Sequence, residues 1–400
     1  MERYSEYKDS GVNWLGEIPR HWGLIKSKYL WKESFNISEQ GNEELLSVSQ
    51  YDGITPAKGD TRSEALDGYK IVKKDDLVIN IMLAWMGGLG ISAYNGIVSP
   101  AYCVYKLNHN YNPRFFHYLY KTPLYLSEFA KHSTGVIPSR WRMYTDDFGQ
   151  VLSLIPPIEE QNAIVAYLDK VTSKIDAAIA QQQKMIELLN ERKQIIINNA
   201  VTKGLEPTAK MKPSSIPWLG NIPAHWEVRK LKQIARLQSG ETINSEMFTE
   251  SGYPVFGGNG FRGYTDTYNH DGNYILIGRQ GALCGNINYA HGQFFATEHA
   301  VVVYPFKYED IIWLGELLRS SNLNQYSQSA AQPGLSVSVI GNICYPYPPD
   351  KEKKKISTYL QSVLPKIENG INICNDRIDL LQERKQIIIN EVVTGKVKMP

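Results

Sequence analysis

Two stretches of this chain carry apolar side chains at steps of three and four residues, the spacing of a helix seam. The first runs through Ile164, Leu168, Val171, Ile175, Ala178, Met185, Leu189 and Ile196, with Gln182 and Arg192 interrupting it. The second runs through Ile356, Leu360, Val363, Ile367, Cys374, Leu381 and Ile388, with Gly370, Arg377 and Arg384 interrupting it. Each opens on a proline pair, Pro156-Pro157 and Pro348-Pro349, and Pro365 is expected to kink the second helix. A helix over 158–199 extends about 60 Å at ~1.5 Å per residue. So long a seam needs cover, and the nearest complement is the other seam. An antiparallel pair with a pseudo-twofold axis, a dumbbell, is the expected arrangement; two separate helical hairpins are the alternative.

The remaining pattern is shorter in period. Residues 24–155 and 228–347 read as strand-rich, with β-type runs and Gly turns in "YKIVKKDDLVINIML" (69–83) and "NYILIGRQGALCGNINYA" (273–290). "RFFHYLYKTPLYLSEFA" (114–130) and "DIIWLGELLRSSNLNQYS" (310–327) read as helical. The fold class is therefore α+β: two mixed domains, 1–155 and 205–347, joined by two long antiparallel coiled-coil helices in 156–204 and 348–400.

The chain is one module written twice. "LLNERKQIIIN" (188–198) returns as "LLQERKQIIIN" (380–390), an offset of 192 (380 − 188). "WLGEIPRHW" (14–22) returns as "WLGNIPAHW" (218–226), an offset of 204 (218 − 14), so the second copy is twelve residues shorter between these marks (204 − 192). Between them similarity fades, although "SPAYCVY" (99–105) parallels "TEHAVVVY" (297–304). Drift after duplication would not spare only the ends. A shared scaffold carrying two different surfaces explains the pattern better.

Composition narrows the chemistry. A net charge of +2 excludes a uniformly basic surface, so any nucleic-acid contact is a local patch. Cys103, Cys284, Cys344 and Cys374 form no CxxC and read as free thiols. No apolar run reaches membrane-spanning length, and "MERYSEYKDSG" does not read as a signal peptide, so a soluble cytoplasmic protein is expected. "GNGFRG" (258–263) matches G-x-G-x-x-G, but turn-like sequence follows where a helix is required. "NPRF" (112–115) resembles the catalytic tetrapeptide of amino-methyltransferases but lacks its second proline. No P-loop, HExxH or Ser/His/Asp logic is present, and no catalytic or metal residue is assigned.

Each middle presents side chains suited to base edges. In the first these are Lys58 and Arg62 in "KGDTR", with Arg140, Trp141 and Arg142 in "PSRWR". In the second they are Asn259, Arg262, Arg279, Gln280, Gln332 and Ser336. Arg suits guanine O6/N7 and Asn or Gln suits adenine N6/N7, while Ser and loop amides suit phosphate. The candidate helix-pair and partner residues are Ile164, Leu168, Val171, Ile175, Leu189, Arg192, Ile196, Ile356, Leu360, Val363, Ile367, Leu381, Arg384 and Ile388.

With WLGxIPxHW opening each half, "IPPIEEQNAIVAYLD" closing the first middle, ERKQIIIN ending both and "AQPGLSVSVIGNI" (331–343) before the second helix, the chain resembles the specificity subunits of type I restriction-modification systems. The start "YPPDKEKKKISTYL" departs by lacking the Glu-Gln pair of 160–161, which implies unequal scaffold ends. The resemblance implies that each middle is a target recognition domain reading one half of a split double-stranded DNA site, with the helices as a ruler. It implies two modification subunits carrying AdoMet and methylation, two restriction subunits using ATP and Mg, no cofactor on this chain, no membrane and a role in phage defence. A DNA methyltransferase with an unrecognised catalytic domain and a coiled-coil scaffold with no DNA role are the alternatives.

Overall fold

The computed structural model describes residues 2–50, 53–59, 68–108, 110–137, 140–216, 218–281, 283–307, 311–327 and 334–399. The chain divides into two compact units, one of residues 1–182 with 376–400, the other of residues 183–375. Each unit therefore takes half of each long helix.

The first unit is built on a four-stranded antiparallel sheet in the order Trp31–Glu33, Tyr102–Leu107, Leu77–Asn80, Leu89–Ile91. Two helices, Pro113–Tyr120 and Pro123–Lys131, accompany it. Both start for the same local reason: proline occupies the first turn, where its missing N–H costs nothing, and Asn112 or Thr122 caps the end with a side-chain oxygen. Their apolar faces supply an aromatic core, with Phe116 edge-on to Trp31 at 5.5 Å and Phe129 to Tyr120 at 5.7 Å.

His117 on the first of these helices accepts the Ile91 N–H through Nδ1 at 3.2 Å, which fixes that nitrogen as unprotonated. Burial, helped by the nearby charges of Lys121 and Arg114, lowers its pKa to about 4. The unfolded chain then binds a proton below pH 6.5 that the folded unit refuses. Stability of this unit is expected to fall between pH 6.5 and about 4 and to level off below that for this group. Urea unfolding of the His117→Gln variant across this range should show a shallower pH dependence than the native chain.

The second unit repeats this plan inside a larger sheet. Its six-stranded order is Ala235–Ser239, Ala300–Pro305, His270–Gly278, Ile287–Ala296, Tyr253–Gly257, Gly260–Thr265. The first four strands match those of the first unit in order and in register. Tyr105 faces Glu33 as Val303 faces Leu237, Ile79 faces Cys103 as Ile277 faces Val301, and Ile79 faces Leu89 as Ile277 faces Ile287. The middles thus differ in sequence but not in framework. The offset between copies is 204 at Glu33/Leu237 (237 − 33) and 198 at Tyr105/Val303 (303 − 105). At Leu154/Pro346 it is 192 (346 − 154). The twelve missing residues are therefore a net six between Glu33 and Leu77 and a net six between Tyr105 and Leu154 (204 − 198, 198 − 192). Both units also carry a hairpin, Leu46–Ser49/Gly53–Pro56 in the first and Tyr253–Gly257/Gly260–Thr265 in the second, each set parallel to the next strand, by a single bridge at Leu45/Ile97 in the first and by pairing with Phe295 and Ala296 in the second, where it extends the sheet to six strands. Packing compensates between copies: Tyr120 on a helix meets Ser153 on a strand at 2.7 Å, whereas Leu318 and Tyr345 take those places and the Tyr345 hydroxyl turns to Ser321 at 3.1 Å.

The repeated motif WLGxIPxHW is a junction. Trp22 is fully buried and donates its indole N–H to Glu160 Oε2 at 3.1 Å, and His21 Nε2 lies 2.8 Å from the same oxygen. In the second unit Trp226 donates to Glu352 Oε2 at 2.9 Å and His225 Nε2 is 2.6 Å from Oε1. Glu160 and Glu352 lie in the first turns of the long helices Ile158–Lys203 and Asp350–Val393, where a carboxylate also favours the helix N-terminus. The expected lack of the Glu-Gln pair at the second start holds, and is confined to its glutamine. Glu352 keeps the role of Glu160, and only Gln161 is replaced, by Lys353. That lysine is fully buried, with its ammonium 3.6 Å from the Tyr347 ring centre and 3.2 Å from Asp350. Each junction also receives the C-terminus of a long helix. Gly395 has φ +73° and packs so close that a Cβ would stand 2.5 Å from Pro19. Gly204, φ +77°, lies equivalently against Trp226.

Within the first unit Ile164, Leu168 and Ile175 join one core with Ile388, Ile389, Val392 and Val393. Within the second, Ile197, Ala200 and Val201 join one with Ile356 and Leu360. The seam differs from the sequence reading by one residue over part of its length. Met185 is 48% exposed, and Arg192, Arg377 and Arg384 point to solvent. Ile186, Lys193, Ile378 and Lys385 are the half-buried positions instead. The lysines fit because each meets an acid: Lys385 reaches Asp176 at 2.7 Å in the first unit and Lys193 reaches Glu368 at 2.7 Å in the second. Under the offset of 192 these are one ion pair written twice (176 + 192 = 368, 193 + 192 = 385). The second helix runs through Pro365 uninterrupted.

Candidate nucleic-acid interface

In both units the strand at the centre of the sheet ends in a segment clamped by a later loop. In the second unit strand His270–Gly278 runs into Arg279 and Gln280. Arg279 donates its backbone N–H to His299 O at 2.8 Å and accepts from Leu335 N at 2.9 Å. Gln280 bridges to Gly334. The hairpin turn lies against this segment: a Cβ on Gly258 would stand 3.0 Å from His299 O and 3.3 Å from Gln280 O. This close approach makes "GGNG" a packing turn. Asn259 in it accepts from Asn286 Nδ2 at 3.3 Å. Arg279, Gln280 and Asn259 therefore converge, with Arg262 beside them on the hairpin, exposed and 5.8 Å from the Phe248 ring centre. The Arg279 guanidinium reaches Ser239 Oγ at 3.4 Å. Ser336 caps the helix Val337–Asn342 by accepting from Val339 N at 3.2 Å.

The first unit has the same clamp with other side chains. Met143 N donates to Ile81 O at 3.0 Å, as Leu335 N does to Arg279 O. Trp141 stands edge-on to Trp85 at 5.3 Å, and Trp85 donates to Met82 O at 3.2 Å. Arg140 and Arg142 are exposed on either side of Trp141. Where one unit presents Trp, Met and Arg, the other presents Arg, Gln and Asn, on backbones in matching register. Lys58 is exposed beyond the hairpin strand Gly53–Pro56. Arg62 and Gln332 lie outside the described residues. Sequence reasoning missed Met82, Trp85, Asn286, Asn288, Glu298 and His299. The signal for the last two was the pairing of "TEHA" with "SPAY", which sets two polar groups against Pro100 and Ala101.

A second repeated surface lies on the long helices. Leu188 and Ile195 in one unit are 48% and 52% exposed, and their counterparts Leu380 and Ile387 in the other are 64% and 47% exposed. In each pair the residues are seven apart and share a helix face. Among the described residues no group of three or more His, Cys, Asp or Glu could hold a metal ion, and no helix is long and apolar enough to cross a membrane.

Residues 223–373 match the family model described as the type I restriction modification DNA specificity domain. Over 149 residues the chain is 40% identical to the type I restriction enzyme EcoprrI specificity subunit of Escherichia coli, covering 36% of each. It is 28% identical to the MjaVIII specificity subunit of Methanocaldococcus jannaschii over 61% of this chain and 62% of that one. These matches span about a third and three fifths of the two relatives. The putative MjaX specificity subunit of the same organism aligns at 22% identity over 96% of both chains. Among solved structures, a chain from a study of complex assembly and conformational transition of the type I R-M system superposes with a TM-score of 0.72 at 14% identity, covering 94% of this chain and 98% of that one. The HsdS subunit from Thermoanaerobacter tengcongensis gives 0.51 at 15% identity with the same coverages. These likenesses establish a shared fold.

Proposed function

We infer, from the premise that this chain belongs to the type I restriction-modification specificity family, that it is the non-catalytic DNA-reading subunit of such a complex. Each unit reads one half of a bipartite duplex site, and two copies of a modification subunit dock on the chain. One observation carries this reading: two frameworks in matching register present different side chains at the same strand end. A scaffold so strictly kept with contacts so freely varied suits two readers of different sequence. The exposed repeated pairs Leu188/Ile195 and Leu380/Ile387 suit two identical partners, each needing the same apolar contact. AdoMet then belongs to the modification subunit, and ATP and Mg to a restriction subunit. Methylome sequencing of a host with and without this gene tests the reading: a bipartite methylated motif should vanish with the gene, and an unchanged methylome would refute it.

Arg140→Ala should relax or weaken recognition in one half-site only, by about 1–3 kcal/mol for a bidentate base contact. Binding-site selection measures this, and equal change in both half-sites would make Arg140 a structural or phosphate contact. The long helices are further proposed to set the gap between half-sites. Four residues added to both lengthen each by ~6 Å, nearly two base pairs at a rise of ~3.4 Å. The preferred spacer should grow accordingly, and an unchanged spacer excludes the helices as the ruler.

A further inference from the structure

The turn Thr297-Glu298-His299 enters the strand-end cluster of the second unit with an unusual polar inventory. Asn288 Nδ2, Glu298 Oε2 and His299 Nδ1 are each buried without a hydrogen-bond partner among the described residues. Folded chains rarely leave buried polar atoms unpaired, because an unmade hydrogen bond forfeits hydration without return. Here three stand around one turn. Glu298 N–H donates to Glu241 O at 3.0 Å, and His299 O accepts from Arg279 N at 2.8 Å. Asn288 Oδ1 lies 3.0 Å from where a Cβ on Gly260 would be. The unpaired atoms therefore border Arg279 and the hairpin turn. Glu298 is also held in place, with Oε1 3.3 Å from His299 Nε2.

A carboxylate is out of place on a face that only grips phosphate, since the two anions repel. It fits where a base offers an amino group. Cytosine N4 and adenine N6 donate in the major groove, whereas guanine O6 and thymine O4 place an acceptor against the carboxylate. We propose that Glu298 is a specificity-determining residue of the second half-site, requiring an amino-bearing base, cytosine or adenine, at one position. His299 fixes the carboxylate's orientation, and the Glu298 side chain, 35% exposed, carries the acceptor. This rests on the reading of the chain as a DNA-specificity subunit and adds the chemistry of one contact to it.

The test uses the full chain in complex with its modification subunit, selecting duplexes from a randomised library. Native chain, Glu298→Gln and Glu298→Ala are compared. The native chain should select a bipartite site with one second-half position confined to cytosine or adenine. In both variants discrimination at that position should fall about tenfold to a hundredfold, with the first half-site and the other positions unchanged. An intact restriction in both variants, an equal loss of affinity on every sequence, or loss of all selection by both variants would overturn the assignment. A native chain that selects no bipartite site would instead defeat the reading beneath it.

Discussion

A fragment of residues 207–400 is expected to dimerise and, given the modification subunit, to direct methylation to an interrupted palindrome built from the second half-site alone. The fragment keeps one WLGxIPxHW junction, one sheet framework and one long helix. It loses Ile197, Ala200 and Val201, which cover Ile356 and Leu360 in the second unit. It also loses Ile164, Leu168 and Ile175, which cover Ile388, Ile389, Val392 and Val393 in the first. A second copy supplies the missing side chains from equivalent positions. Ile389, Val392 and Val393 correspond to Ile197, Ala200 and Val201 at the offset of 192 (389 − 197), so each copy's helix end can cover the other's helix start. Glu368 and Lys385 are both present to renew the ion pair. At roughly 1.5–3 kcal/mol for each large apolar side chain fully buried, these residues outweigh an association cost of about 4–15 kcal/mol. Sedimentation at micromolar concentration and methylome data decide it. A monomer, or methylation of an asymmetric site, would sink the idea that the two halves are interchangeable scaffold units.

The second large effect concerns the junction. Trp22→Ala should lower the stability of the first unit by about 3–5 kcal/mol, the usual cost of truncating a buried large aromatic side chain. Set against the 5–15 kcal/mol typical of whole domains, that is a large fraction. The indole fills a fully buried space beside Phe115, at 6.4 Å between ring centres, and under the turn at Gly395. Its N–H also binds Glu160, which His21 and the Tyr4 hydroxyl hold from other sides. Trp22→Phe keeps most of the volume and loses the N–H bond, so it should cost less than the alanine variant. Native-state hydrogen exchange read unit by unit measures both. Protection lost in residues 1–182 and 376–400 with residues 183–375 unchanged is the expected pattern. A Trp22→Ala chain within about 1 kcal/mol of native would mean the motif is no anchor.

The extent of the repeat, the two long helices and the mixed character of the middles were legible because they rest on periodicity and on strings long enough to recognise. The seam was legible only to within a residue. Met185 and Ile186 are both apolar and Arg192 and Lys193 both basic, so composition does not choose between them; an acid across the seam on another part of the chain selects Lys193. The Glu160/Glu352 equivalence was hidden by the replacement of Gln161 by Lys353 and of most neighbours with it. The common framework of the middles left little trace in sequence because its central strands are buried on both faces, Leu77–Asn80 throughout and His270–Gly278 over its last four residues, so no alternation marks their register. The individual residues proposed to contact DNA were least legible. Arg140 and Arg279 were picked by type, but Glu298 and His299 came into view only once the fold set them beside Arg279.

The two helix ends carry a consequence for connectivity. Lys398 N donates to Glu2 O at 2.8 Å, and Tyr7 donates its hydroxyl to Lys396 O at 3.0 Å, so the segment after the second long helix is stitched to residues 2–7 beside Trp22. In the other copy the same place, where Ala224 N meets Lys210 O as Arg20 N meets Glu6 O, is crossed by unbroken polypeptide. Exchange of coding sequence at the repeated helix segments would therefore replace one variable middle by another while keeping the hydrogen bonds of both junctions.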